Sequence, residues 1–177
     1  AAVVLPSALA LDLQIKLLLG EKVFVKVSGI DARLDGALDL SMSRLDRITS
    51  KGEIKVVKGN YRTYGVNLDI VRGRLFFAGG PVNRPSLDFL ALRTVGDVRA
   101  GVTVTGTIQK PVTRLYSEPA MSDIDILAYI VFGHPLGSST AQASLVTQAA
   151  GALLTSGQAA VLQEQLKNKL GISTLEI

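Results

Sequence analysis

Thirteen consecutive residues, IDARLDGALDLSM at Ile30–Met42, alternate without a slip. The even positions are apolar or glycine: Ile30, Ala32, Leu34, Gly36, Leu38, Leu40 and Met42. The odd ones are Asp31, Arg33, Asp35, Ala37, Asp39 and Ser41. Successive side chains of a strand point to opposite faces, so this stretch is a strand with one aliphatic and one charged face. Such a face is normally buried against a second layer. The rest of the chain decides whether that layer exists.

Period two dominates from Leu11 to about Ser117. Leu13 and Ile15 lead one run, and Val23 and Val25 lead the next. GEIKVVKGNYRTYGVNLDIVRGRLFFAGG then supplies Ile54, Val56, Val66, Leu68, Ile70, Leu75 and Phe77. It is cut by Gly52, Gly59, Gly65, Gly73 and Gly79-Gly80, which read as the turn glycines of tight hairpins. Beyond the loop PVNRP, SLDFLALR adds Leu87 and Phe89. VRAGVTVTGTI sets Val98, Val102, Val104 and Ile108 on one face, with Arg99 and Thr103 on the other. These aliphatics, with those of Ile30–Met42, are the candidate lining of a hydrophobic groove. The spacing predicts nine or ten strands in an antiparallel meander.

At Met121 the pattern changes. SDIDILAYIVFG starts a helix with Ser122 as N-cap and Asp123 and Asp125 in its first turn, and Gly133 and Pro135 stop it. SSTAQASLVTQAAGALLTSG is weakly helical, and Ala141–Ser156 is expected to be the most mobile interior segment. GQAAVLQEQLKNKLG puts Leu162, Leu166 and Leu170 on one stripe, with Gly171 as C-cap. Residues 172–177 read as a truncated strand, and both ends are expected to be cut from a longer protein.

The expected fold is therefore mainly β: one domain over 1–177 with strands over about 11–117 and short helices over about 122–170. Nine strands make a sheet about 40 Å wide, and two helices about 10 Å across cover half of it. No second run of strands completes a sandwich. The sheet is expected to curl like a taco or half-barrel, leaving an aliphatic concave face.

Composition removes most chemistry. The 177 residues include no cysteine and one histidine, His134, in a GHP turn without a nucleophile or orienting partner nearby. No phosphate loop, metal constellation or cofactor motif is present, so an enzyme is not expected. Asp123 and Asp125 are better explained by capping than by acid–base work. Aromatics are 5 % and tryptophan is absent, against the aromatic girdles of a membrane barrel. No run of about eighteen apolar residues is present to span a bilayer as a helix. Lys55, Lys58, Arg62, Arg72, Arg74, Arg84, Arg93 and Arg99 account for much of the net charge of +4 and read as a solvated outer face. They lack the interleaved aromatics of a nucleic-acid surface.

Four elements carry a family resemblance: the strand–glycine pattern at 52–79, N-x-P-x-L at Asn83–Leu87, G-T-x-x-x-P at Gly106–Pro111, and L-x-S-x-P-x-M-S-x-x-D-I-L at Leu115–Leu127. In this order and spacing the chain resembles the C-terminal domain of the TamB family, the inner-membrane-anchored subunit of the translocation and assembly module. The resemblance implies a periplasmic domain in a Gram-negative envelope and an outer-membrane barrel partner, TamA. It also implies a non-catalytic role in shielding phospholipid acyl chains between the membranes. The alternative is a scaffold for nascent strands of outer-membrane proteins such as autotransporters. Family members continue into further strands beyond the point where this chain stops.

Overall fold

The computed structural model describes residues 12–44 and 46–171. Seven strands form one antiparallel meander: β1 (Leu13–Val27), β2 (Ile30–Arg44), β3 (Arg47–Thr63), β4 (Val66–Pro81), β5 (Ser86–Val95), β6 (Val98–Thr107) and β7 (Pro111–Glu118). Their order in the sheet is their order in the chain, and the sheet is not closed into a barrel. Three helices follow, α1 (Asp123–Phe132), α2 (Thr140–Leu153) and α3 (Ser156–Leu170). The strand 172–177 lies outside the described residues.

Strands are fewer than expected because three glycines do not turn the chain. Gly52 and Gly59 lie inside β3, and Gly73 lies inside β4. Gly36 and Gly52 serve close approach instead. Their φ values are 145° and 137°, and a Cβ on either would stand 2.2 Å from a carbonyl oxygen, that of Glu53 or Ala37. Only glycine permits that backbone contact. The true turns are two-residue ones, at Ser28-Gly29 and Tyr64-Gly65 with positive φ at both positions, which suit the strand twist.

Two bulges keep the apolar face continuous. The register passes from Ala32↔Gly59 to Leu34↔Val56, so Val57 is an extra residue in β3. It passes from Ile70↔Ala91 to Arg72↔Leu90, so Val71 is extra in β4. Each bulge reverses the parity of its strand. Tyr61 and Val56 therefore share a face, as do Leu68 and Phe77, and the valines left over are 49 % and 51 % exposed.

The helices gather at one end of the sheet, beside the turns at 64–65 and 96–97. Ile124, Ile126, Leu127, Ala128 and Ile130 of α1 are buried, and α1 packs on β4, β5, β6 and β7. Ser122 caps it by accepting the Asp125 N–H at 3.2 Å. Ala141–Ser156, expected to be mobile for want of apolar area to anchor it, forms most of α2 and does bury an apolar face. Ala143, Val146, Thr147, Ala149, Ala150 and Leu153 are buried, and α2 packs between α1 and α3. Small side chains let helices approach closely, and here they anchor the segment. α3 begins with a Thr155–Gln158 capping box, and the Gln158 amide donates to the Thr113 carbonyl of β7 at 3.1 Å.

Candidate functional site: the uncovered apolar face

Register places twenty-one of the twenty-two predicted lining residues on one sheet face. One row runs Leu17↔Leu38↔Gly52↔Phe77, and the next but one runs Leu34↔Val56, then Gly73↔Phe89↔Val104. Asp31, Arg33, Asp39 and Arg99 are exposed on the opposite face. Ile108 is the exception. β6 ends at Thr107, and Ile108 stands in the β6–β7 turn, 54 % exposed. The alternation there continues into a turn, where period no longer assigns a face.

The helices split this face in two. Beneath them Val66, Leu68 and Val102 are buried in a core shared with α1, α2 and α3, and Ile70 and Leu115 pack at its edge. These residues fill a core and line no groove. Helix packing on the sheet is centred on β4–β7, with Tyr61 of β3 at its margin.

Among the described residues the remainder carries no helical layer. Leu38 and Phe77 are buried, yet neither belongs to the helix-covered core; they flank Gly52, which has no side chain, on the sheet face. Leu34, Leu40, Met42, Ile54, Val56, Leu75, Leu87, Phe89 and Val104 are half-buried. Toward the β1 edge, Leu13, Ile15 and Leu17 are 41 %, 44 % and 44 % exposed. Val23, Val25, Ile30 and Val98 complete the half-buried set. β2 and β3, of 15 and 17 residues, are about 50 Å long, whereas the 10-residue α1 spans about 15 Å. Among the described residues an apolar face without helices over it, along β1–β3 and the far halves of β4–β6, is the result.

Sequence reasoning missed Ile48, which shares the face opposite Met42, because a strand-end isoleucine adds little to a periodic signal. It misplaced Arg93. Register puts Arg93 opposite Ala100 on the inner face, and its Nη1 donates to the Ile130 and Val131 carbonyls, each at 2.9 Å. It is a cationic cap for the C-terminus of α1, a helix with no basic residue in its own last turn.

No acid–base constellation accompanies the trough. His134 is exposed, contacts the Pro135 carbonyl through Nδ1 and stacks on Phe132. Asp125 meets Ser122 and Lys169, a capping arrangement. On the outer face Tyr116 donates to Glu118, which holds that carboxyl below its ordinary range, and Arg99 adds to the effect at 3.2 Å. Among the described residues no group of three His, Asp, Glu or Cys could hold a metal ion. No described helix is long and apolar enough to cross a membrane.

The TamB C-terminal domain model matches residues 5–177. The chain is also similar to the translocation and assembly module subunit TamB of Haemophilus influenzae, 29 % identical over 138 residues. That match covers 75 % of this chain but 10 % of the relative, so the chain spans about a tenth of the curated relative's length.

Proposed function

The chain belongs to the TamB C-terminal domain family, and from that premise we propose that its uncovered face shields aliphatic cargo, phospholipid acyl chains, within the translocation and assembly module. One observation carries the reading: a continuous Leu/Ile/Val surface runs from the half-buried Leu34 and Ile54 to the exposed Leu13, Ile15 and Leu17 with no helical layer over it among the described residues. An aliphatic face of that extent in water is unfavourable unless something apolar occupies it. A sixteen-carbon chain gains at most about 12 kcal/mol from burial at 0.8 kcal/mol per methylene. The lining is mostly aliphatic, with the buried Ser50 hydroxyl opposite Leu40 the polar group on its β2–β3 stretch, and such a surface lets an acyl chain slide, which a conduit requires. In this reading the chain acts as one periplasmic, non-catalytic domain of an inner-membrane-anchored protein, and its barrel partner is TamA.

The alternative, a scaffold for nascent outer-membrane strands, draws on a different feature. Among the described residues β1 is an edge strand of 15 residues whose outer edge has no neighbour. Such an edge can pair with a client backbone. Mass spectrometry of organic extracts from protein purified without detergent separates the two. Phospholipid near one molecule per chain is the expected result. A lipid-free extract from folded protein contradicts the acyl-chain reading.

A further inference from the structure

The two ends of the sheet differ in charge. At the helix end the turns are Ser28-Gly29, Tyr64-Gly65 and Gly96-Asp97, without a cation among them. At the opposite end each of the three turns brings one or more: Arg44 and Arg47 flank the first, Arg84 lies in the second and Lys110 in the third. Two of those turns also present an aliphatic tip, Val82 at 37 % exposure and Ile108 at 54 %.

These turns form one continuous rim. The Val82 N–H donates to the Ile48 carbonyl at 3.1 Å, tying the second turn to the first, and the Gln109 amide donates to the Asn83 carbonyl, tying the third to the second. Arg47 and Arg84 line the same shallow cavity of about 580 Å³, floored by Ile48, Pro81 and Val82, with Asp46 the one carboxylate in its wall. Arg44 and Arg47 are directly paired across the β2–β3 ladder. Like charges so placed destabilise a hairpin unless an anion joins them. Among the described residues none of the rim's four cations has an ion pair or a side-chain hydrogen bond, a state shared by Lys55 and Lys58 on the outer face, where Arg72, Arg74 and Arg99 are paired.

We propose that this rim is a membrane-docking edge, which seats the open end of the sheet on a bilayer surface rich in acidic phospholipid. Cations meet the phosphate groups while Val82 and Ile108 enter the interface, the combination that holds peripheral elements on anionic membranes. Docked in this way, the trough opens directly at the lipid headgroups. The inference rests on the edge geometry and not on the cargo reading: a chain that holds lipid but ignores vesicles sinks the rim alone.

The test is cosedimentation of the chain with phosphatidylcholine vesicles, with and without phosphatidylglycerol. Wild type is expected to bind only those with phosphatidylglycerol, and less so as salt rises. Each cation near such a surface contributes about fivefold and each glutamate in its place is repelled, so R47E/R84E should weaken binding by at least about 25-fold, and I108D by about tenfold, while K55E/K58E on the outer face stays within about twofold. All five are exposed side chains, and circular dichroism verifies folding. Equal loss from the two double variants would show that net charge alone acts and overturn the proposal. So would wild-type protein that binds soluble polyphosphate but not the acidic vesicles.

Discussion

Val102→Arg is expected to leave no folded protein at room temperature, while Leu38→Arg leaves a folded one. The sequence alone puts both residues on one aliphatic face and predicts the same outcome for both. The structure separates them. Val102 is 5 % exposed and lies beneath the helices in the core that holds Leu68, Leu127 and Ile130. A guanidinium there has no route to water, and burying it unpaired costs several kcal/mol against a total stability of about 5–15 kcal/mol. Leu38 is equally hidden, but its neighbours along the row are Leu17, 44 % exposed, and Gly52, which has no side chain. An arginine stem can lie along the trough and carry its head past Leu17 into water. The cost is then the lost leucine burial, about 1.5–3 kcal/mol. Urea unfolding followed by circular dichroism measures both. If the two variants unfold alike, the trough is a filled core.

Arg93→Met should lower the melting temperature by about 3–12 °C. The substitution keeps most of the stem but leaves the Ile130 and Val131 carbonyls without their charged donor. Hydrogen bonds to a charged group are worth about 1.5–3 kcal/mol, and each kcal/mol moves a domain of this size by about 2–4 °C. The guanidinium also fits against the helix end, where a Cβ at Gly133 would come within 3.0 Å of its Nη2. Arg93→Lys should recover part of the loss, because an ammonium supplies charge but not the fixed fork. A melting curve unchanged by Arg93→Met would mean that the cap contributes nothing.

How legible all this is from the sequence depends on the strand. In β2 and β6 the alternation assigns each face correctly, because β6 has no bulge and the shift that leaves an extra residue in β2, between Met42 and Arg44, falls beyond its alternating stretch. In β3 and β4 the doublets Val56-Val57 and Ile70-Val71 conceal parity reversals, which a period-two pattern cannot express. Gly52 and Gly73 look like turns because a glycine needed for backbone approach and one needed for a hairpin are the same letter. Arg93 is illegible for another reason: its reward, a pair of helix carbonyls, arrives 37 and 38 residues later in the chain. The extent of helical cover belongs to tertiary docking. The sequence anticipates that the helices are too few, but not that they gather at one end and turn Val66, Leu68 and Val102 into core.

The most direct measurement is position-resolved photo-crosslinking in cells from residues 38 and 39. They are neighbours in β2 and point to opposite faces, so expression, fold and location are held constant between them. A photoreactive side chain at 38 is expected to give phospholipid adducts, and one at 39 none. Equal lipid labelling from both positions, or polypeptide adducts alone from 38, contradicts a trough that carries acyl chains.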